Sequence, residues 1–340
     1  MKKFISLISA IAIVLSMTAL FSSCSKDTSD KEDSEDTVTV QTSTDTKPSA
    51  ETKKPSSSSG ASANKAVPYV DFSKKVSAES THLSYMDIKK FKSVAGGDYN
   101  YQWTQGGCIA NGCVYTFMVT DNNTLPRKCC IVKTDIESGT VISKSAELAL
   151  GHANDATYNP HDNVIVVADC GETGTNKVYV LDADTLTISK TLSLKGGLSC
   201  SIAYDETNQR YIGVDVQNSA IYVYNRSFNL VKTLKSFGMS KSEFPGEFSM
   251  QGAHTDGVYL YVLEWHGGSR WASENITVEK EVVSHIRVVN IDTGDHVKTI
   301  DLGIKREVEY IGYLDGSFYI GCNNIGWTGM EFYKVDIIAE

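Results

Sequence analysis

The feature that most constrains the fold is a pattern of short strands that recurs five times between about residue 100 and the C-terminus. Each unit has a polar start, a short strand, an Asn/Asp turn and an apolar second strand, followed after a loop by two more strands joined by a turn. The five units open with QGGCIA, NDATY, SCSIAY, MQGAH and VEYIGYL. β-Branched and aromatic residues fill the strands and helical periodicity is scarce. Hairpin turns are indicated at Asn111-Gly112, Asp256-Gly257 and Asp315-Gly316.

Four antiparallel strands repeated about every 50 residues predict an all-β fold, a five-bladed β-propeller. One four-stranded sheet cannot cover both of its faces, so such units stack around a central axis. The fifth unit lacks its outermost strand, and we expect Met86–Val94 to supply it and to close the ring. A sixth blade would have to fit between Val67 and Tyr99, which is too short and irregular a stretch. A β-sandwich would not account for five similar units.

The first 23 residues read as a secretory signal peptide, with Lys2 and Lys3 ahead of the uncharged apolar run Phe4–Phe21. The sequence LFSSC at the end of that run resembles the lipobox of bacterial lipoproteins. This resemblance implies that Cys24 is lipidated and holds the protein on a membrane surface outside the cytoplasm, at the cell surface or in the periplasm. A plain signal peptide and an uncleaved anchor helix are the alternatives.

Residues 24–66 are almost entirely Ser, Thr, Lys, Asp, Glu and other small or polar types, so they cannot bury enough surface to offset the entropy of ordering. We expect a disordered tether there and one propeller domain over residues 67–340. The net charge of −9 argues against a nucleic-acid partner. We expect a monomer whose membrane contact is the lipid anchor only.

The domain has an odd number of cysteines, so not all of them can pair. Their spacing matches neither a zinc site nor a redox CxxC motif, and most stand in or beside apolar strands, where cysteine packs as a small hydrophobic residue. We therefore expect mainly free, buried thiols, with one or two disulfides left open. The residues concerned are Cys108, Cys113, Cys129, Cys130, Cys170, Cys200 and Cys322.

Propeller topology predicts where the polar residues gather. A hairpin joins the inner and second strands of each blade, so the start of the inner strand and the end of the second strand emerge together on the opposite face, here called the upper face. We expect a ligand site there, at the mouth of the central channel. Its predicted residues are Gln105, Asn154, Asp155, Gln251, His254, Trp265, His266, Arg270, Trp271, Glu309 and Trp327.

Exposed tryptophan beside amides and carboxylates is typical of a sugar site, because the aromatic ring takes the C–H face of a pyranose and the polar groups bind hydroxyls. The sequence therefore predicts that the upper face binds a glycan or cell-wall polymer. The alternative is that some tryptophans pack between blades and that inner-strand amides bind channel water.

An enzyme remains an open alternative. Glycosidases need a pair of carboxylates, and five-bladed arabinan-cleaving furanosidases place three acids on the inner strands of their first three blades. Here Gln105 stands in the first blade, with Ser199 and Ser201 in the third. A hydrolase or lyase would have to use His152, His254 or Glu309. A protein-interaction scaffold is the third hypothesis, and no motif predicts a metal or an organic cofactor.

Three motifs carry a family resemblance. The combination of QGG in the first unit, GHANDATYN in the second and FPGEFSMQG before the fourth is similar to bacterial and phage five-bladed propellers, grouped with phage receptor-binding domains and a teichoic-acid-associated surface protein. The resemblance covers Gln102–Ile337. It implies binding of a cell-wall glycopolymer rather than a defined reaction, and no functional residue can be transferred from it.

Overall fold

A computed structural model describes residues 65–87, 101–120, 127–172, 176–197, 199–215, 220–235, 248–266, 283–323 and 329–340. Within these ranges the regular elements are β-strands, arranged in five antiparallel sheets of four strands each. The described residues contain no helix of a length and apolar character suited to crossing a membrane. The predicted signal peptide, Cys24 and the tether lie outside the described residues.

The strands follow the predicted order along the chain. Strand β1 is Val76–Asp87. Blade 1 contains β2 (Tyr101–Ala110), β3 (Cys113–Thr120), β4 (Cys129–Asp135) and β5 (Val141–Lys144). Blade 2 contains β6 (Asp155–Asn159), β7 (Val164–Ala168), β8 (Lys177–Asp182) and β9 (Ile188–Ser193). Blade 3 contains β10 (Ser201–Asp205), β11 (Arg210–Asp215), β12 (Ala220–Asn225) and β13 (Leu230–Lys235). Blade 4 contains β14 (Phe248–Thr255), β15 (Tyr259–His266), β16 (Val283–Asn290) and β17 (His296–Asp301). Blade 5 contains β18 (Glu307–Leu314), β19 (Ser317–Asn323), β20 (Gly329–Ala339) and β1.

The blades form a ring whose core lies between neighbouring sheets. The inner strands β2, β6, β10, β14 and β18 contact one another in turn around the axis. Successive side chains of a strand point to opposite faces, so each blade supplies two interblade cores. In β7, for example, Ile165 and Val167 pack against blade 1 while Val166 packs against blade 3. Five clusters of buried apolar residues fill the five seams, which confirms the five-bladed β-propeller.

An N-terminal strand closes the ring, as predicted, but its bounds differ from the predicted Met86–Val94. Strand β1 pairs antiparallel with β20 over Val76–Asp87, so only Met86 and Asp87 of the predicted segment belong to it, and residues 88–94 lie outside the described residues. The cause is the composition of an edge strand: among the described side chains of β1, half-buried Val76 and Ala78 join the apolar cluster of blades 4 and 5, and most of the others are polar. Such a polar strand carries little hydrophobic periodicity.

The cysteines follow the expectation of mainly buried thiols. Five are free and buried, at Cys108, Cys113, Cys129, Cys130 and Cys322. Cys170 and Cys200 form a disulfide. Because Cys170 follows β7 and Cys200 precedes β10, this bond ties blade 2 to blade 3 at the upper face.

Candidate functional site

The upper face is where the inner strands begin. Strand pairing places Asp155 opposite Ala168 and Ser201 opposite Val214, so inner-strand starts and second-strand ends meet at one end of the ring. The connecting hairpins lie at the other end, here called the lower face.

Three inner strands carry a β-bulge near their upper end. The pairing register shifts between Thr104 and Gly107 in blade 1, between Met250 and Gly252 in blade 4, and between Val308 and Tyr310 in blade 5. The unpaired residues are Gln105 with Gly106, Gln251 and Glu309. A bulge leaves its extra residue outside the ladder and re-aims the side chain, and bulges are frequent beside functional sites. Three predicted site residues therefore occupy irregular positions at similar levels of three blades.

Asn154 links blade 2 to blades 3 and 4. Its Nδ2 atom donates to the backbone oxygens of Cys200, at 2.9 Å, and Gln251, at 3.1 Å. Ser201 Oγ donates to the same Gln251 oxygen, also at 3.1 Å. Asn154 and Gln251 are thus neighbours at the upper end of the axis, as the sequence pattern predicts.

Asp155 lies one residue further along β6 and is fully buried. Its Oδ2 atom accepts from the backbone nitrogens of Ile202, at 2.9 Å, and Ala253, at 3.0 Å. Within the described residues, no donor reaches Oδ1. Burial raises the pKa of Asp155 well above its ordinary value, although three backbone N–H groups act in the opposite direction. Asp155 therefore joins the inner strands of three blades, and its burial favours the uncharged form of the carboxyl group.

Blades 1 and 5 meet through Asn323 at the end of β19. Asn323 Oδ1 accepts from the Thr104 nitrogen at 3.2 Å, and Asn323 Nδ2 donates to the Thr104 oxygen at 3.1 Å. Gln105 Nε2 donates to that Thr104 oxygen as well, at 3.1 Å. The backbone of Thr104 therefore fixes which end of the Asn323 amide is the donor.

Glu309 is the second fully buried acid of the site. Its Oε1 atom accepts a hydrogen bond from Asn323 Nδ2, and no group in the described part of the chain is bonded to Oε2. Burial raises the pKa of Glu309 well above its ordinary value and the neighbouring Glu307 raises it further, while the Asn323 bond lowers it. Because Oε1 accepts the bond from Asn323, Oε2 is the oxygen that would carry a proton in the uncharged form of Glu309.

His152 lies on the upper face within a charged cluster that the sequence analysis did not predict. Arg127 Nη1 is hydrogen-bonded to His152 Nδ1 and to Glu172 Oε2, and the Arg127 backbone nitrogen donates to Glu172 Oε1 at 2.5 Å. Burial would raise the pKa of Glu172, but the neighbouring His152 and Arg127 lower it overall. The three residues come from three different loops, which is why sequence spacing gave no signal.

His254 was expected on the upper face, and that placement is wrong. It pairs with Tyr261, one residue before the end of β14, beside the hairpin at Asp256 and Gly257. Its ring stacks on Tyr69, and its Nε2 atom lies 3.3 Å from the Tyr69 hydroxyl. Burial lowers the pKa of His254 to about 4. His254 therefore lies three residues beyond Gln251 along β14, towards the lower face.

Trp265 is a core residue. It is 4% exposed and belongs to the apolar cluster between blades 4 and 5. The alternative prediction, that some tryptophans pack between blades, is therefore correct for Trp265. His266 is the last residue of β15, and its side chain is not among those that the structure describes. Arg270, Trp271 and Trp327 lie outside the described residues altogether, and their predicted roles stay predictions.

Glu264 near the end of β15 forms a buried ion cluster with His285 and Arg287 of β16. Glu264 Oε1 and Oε2 lie 3.1 and 3.2 Å from Arg287 Nε, and Oε2 is hydrogen-bonded to His285 Nε2. All three residues are at most 1% exposed. Their spacing follows the β15–β16 register, in which His285 stands opposite Glu264. Over the described ranges, no three His, Cys, Asp or Glu side chains are grouped to hold a metal ion.

Comparison with known proteins gives likenesses of fold. No protein-family model and no curated protein sequence matches the chain. A glutaminyl cyclase of Myxococcus xanthus is 12% identical over 77% of this chain and 99% of its own, with a TM-score of 0.47. The tail fiber of Staphylococcus aureus phage P68 is 16% identical over 76% of this chain, with a TM-score of 0.45, and this chain spans about half of its length, 52%. Hydrazine synthase of Kuenenia stuttgartiensis is 11% identical over 72% of this chain and 65% of its own, with a TM-score of 0.36.

Proposed function

We propose that this protein is a membrane-anchored, extracytoplasmic propeller whose upper face binds a glycan or cell-wall polymer. The observation that carries the proposal is the set of bulges in blades 1, 4 and 5. They put Gln105, Gln251 and Glu309 near the upper end of the inner strands, where Asn154 of blade 2 joins them. Four blades thus contribute amide or carboxyl groups to one end of the axis.

The chemistry of these groups suits hydroxyl-rich ligands. An amide offers two donors and an acceptor, and a neutral carboxylic acid offers one donor and an acceptor. Both donors of Asn154 are bonded to backbone oxygens, so this residue contributes its Oδ1 acceptor. A sugar hydroxyl is both donor and acceptor, so paired groups of this kind fix its orientation without requiring charge.

The aromatic part of the proposed site differs from the sequence prediction. Buried Trp265 packs between blades, so it supports the blade seam and does not stack on a ligand. Stacking on a sugar ring is proposed for Trp271 and Trp327, which follow β15 and β19 in the chain. Membrane anchoring through Cys24 is supported by the lipobox-like LFSSC.

Binding to a defined panel of carbohydrates tests the proposal. The full-length protein in detergent micelles is titrated with cellotetraose, chitotetraose, polygalacturonate and poly(glycerol phosphate). We expect at least one compound to bind, and Gln251→Ala to weaken that binding about tenfold. Asn229→Ala, which removes an exposed amide at a lower-face turn, is the matched control. Lack of binding to all four compounds at millimolar concentration contradicts the proposal.

A hydrolase or lyase is the second candidate, favoured by one observation. A buried acid whose pKa is raised well above its ordinary value, as in Glu309, is what a general acid requires. Release of new reducing ends or unsaturated products from the polymers of the panel would support it, with activity abolished in Glu309→Gln. Binding without turnover in the same samples favours the non-enzymatic function.

A further inference from the structure

The ring of His152 is held from one side by Arg127. Arg127 Nη1 is hydrogen-bonded to His152 Nδ1, and both carboxylate oxygens of Glu172 are bonded to Arg127. Arg127 is 8% exposed, so its position is set by the protein and not by solvent. The carboxylate lies 3.7 Å from His152 Nδ1, which is beyond hydrogen-bonding distance.

This contact decides the tautomer of the ring. An arginine guanidinium has only donors, so Nδ1 of His152 must be the acceptor and carries no proton. Burial lowers the pKa of His152, and the charge of Arg127 lowers it too, against the opposing effects of Glu172 and Asp169. A neutral imidazole whose Nδ1 is bare carries its proton on Nε2.

Nε2 is the other ring nitrogen. None of the described residues is hydrogen-bonded to it, and 31% of the side chain is exposed. His152 also lies close to Gln105 along the ring, because the nitrogen of Gly106 donates to the oxygen of Ala153 at 2.9 Å. The ring is therefore part of the upper face beside the seam of blades 1 and 2.

We propose that His152 is a specificity-determining residue of the upper face, which presents a fixed Nε2–H donor to an acceptor oxygen of the glycan. This inference rests on the proposed glycan-binding function and adds one defined contact to it. A sugar hydroxyl, an N-acetyl carbonyl or a phosphate oxygen can each accept such a bond. It also removes His152 as a general base, because the nitrogen that could take up a proton is occupied by Arg127.

The tautomer is measured on the unliganded protein. In protein with ¹⁵N-labelled histidine, assigned through His152→Gln, Nδ1 is expected in the unprotonated range and Nε2 in the protonated range from about pH 8 to about pH 6. Arg127→Met should mix the two tautomers and raise the pKa of the ring. Arg226→Met, which removes a lower-face arginine paired with Asp162, should leave the His152 signals unchanged. A protonated Nδ1 in the unmodified protein overturns the inference.

Two substitutions of His152 test which ring nitrogen contributes to ligand binding. Glutamine places its amide nitrogen near the position of Nε2, and asparagine places it near Nδ1. With chitotetraose and a glycerol-phosphate oligomer as probes, we expect His152→Gln to bind like the unmodified protein and His152→Asn to bind about threefold to tenfold more weakly. Equal melting temperatures of the two variants would show that the difference does not come from folding.

The outcomes distinguish this inference from the proposed function. If Gln251→Ala weakens binding but His152→Asn does not, His152 is not a contact and the glycan-binding function stands. If neither probe binds the unmodified protein, the ligand contact is contradicted together with the proposed function for these two compounds, whereas the tautomer measurement still decides the state of the ring.

Discussion

Asp155 Oδ2 lies 2.9 Å from the backbone nitrogen of Ile202, so a buried carboxyl group of blade 2 holds the inner strand of blade 3. The same oxygen accepts from the nitrogen of Ala253 in blade 4. The Asp155 side chain thus links neighbouring inner strands by hydrogen bonds, as backbone pairing links the strands within a blade. Near the axis, blades 2, 3 and 4 are therefore joined by a polar group as well as by the apolar seams.

Removal of that carboxyl group should weaken the ring. Asp155→Ala leaves two buried N–H groups without an acceptor, and we expect the free energy of unfolding to fall by about 3 kcal/mol. Asp155→Asn keeps an acceptor oxygen for both N–H groups and should not show the loss expected for alanine. Denaturant unfolding of both variants measures this. Equal losses for alanine and asparagine would contradict the role of the shared acceptor.

The same residue should make stability depend on pH. The folded-state pKa of Asp155 is raised by burial above the unfolded value of about 3.9. The stability that protonated Asp155 contributes is therefore fully present below the unfolded-state pKa, and it is lost as the pH rises through the folded-state pKa. We expect Asp155→Asn to stabilise the protein relative to the unmodified chain more at pH 8 than at pH 5. The exposed Asp315→Asn is the control, and an identical pH profile for all three proteins would count against a neutral Asp155.

Glu309 should behave as a neutral acid whose proton is on Oε2. Glutamine reproduces an acceptor toward Asn323 and a donor at the other position, so Glu309→Gln should retain glycan binding, whereas Glu309→Ala should lose about tenfold. An infrared carboxylic-acid band that is absent from Glu309→Gln would identify the proton directly. Loss of binding in Glu309→Gln equal to that of Glu309→Ala would show that the site needs an ionised carboxylate.

The disulfide should stabilise the upper face. Cys170 and Cys200 are 30 residues apart in sequence, and closing a loop of that size contributes about 3 kcal/mol. The oxygen of Cys200 also accepts the amide of Asn154. A Cys170→Ser/Cys200→Ser double variant should therefore unfold at lower denaturant and bind glycan less tightly. Unchanged unfolding in the double variant would refute the stabilising role.

The tryptophans should divide into two classes. Trp265→Ala opens a cavity in the seam of blades 4 and 5, so we expect a loss of about 3–5 kcal/mol in the free energy of unfolding. Trp271→Ala and Trp327→Ala should reduce glycan binding while leaving the unfolding midpoint nearly unchanged. The two readouts, unfolding and titration, are made on the same samples. A large stability loss in Trp271→Ala would place that residue in the core instead of the site.

Much of the fold follows from the sequence because blade strands are periodic and their turns carry Asn, Asp and Gly. The inner-strand starts at Asn154 and Gln251 were predictable for the same reason. That an N-terminal strand completes blade 5 was also predictable, but its bounds were not, since Val76–Asp87 is an edge strand with few apolar residues. Its partner β20 lies at the other end of the chain, so no local pattern indicates the register of the pairing.

The candidate site was predictable only in part. The predicted position of His254 was wrong because the bulge at Gln251 and the length of β14 determine how far along the strand this residue lies. The amino-acid sequence alone does not reveal a bulge. Arg127 and Glu172 meet across loops of different blades, 45 residues apart in sequence. Their contact depends on the three-dimensional ring and has no sequence signature.

The most direct test of the central claim is a titration followed by nuclear magnetic resonance of the side-chain amides. If the upper face binds glycan, addition of the tightest-binding compound of the panel should shift the amide signals of Gln105, Asn154 and Gln251 together, with one dissociation constant. The amide of Asn229 at the lower face should not move. Shifts confined to the lower face or the outer strands, with the three upper-face amides unchanged at saturation, would contradict the account.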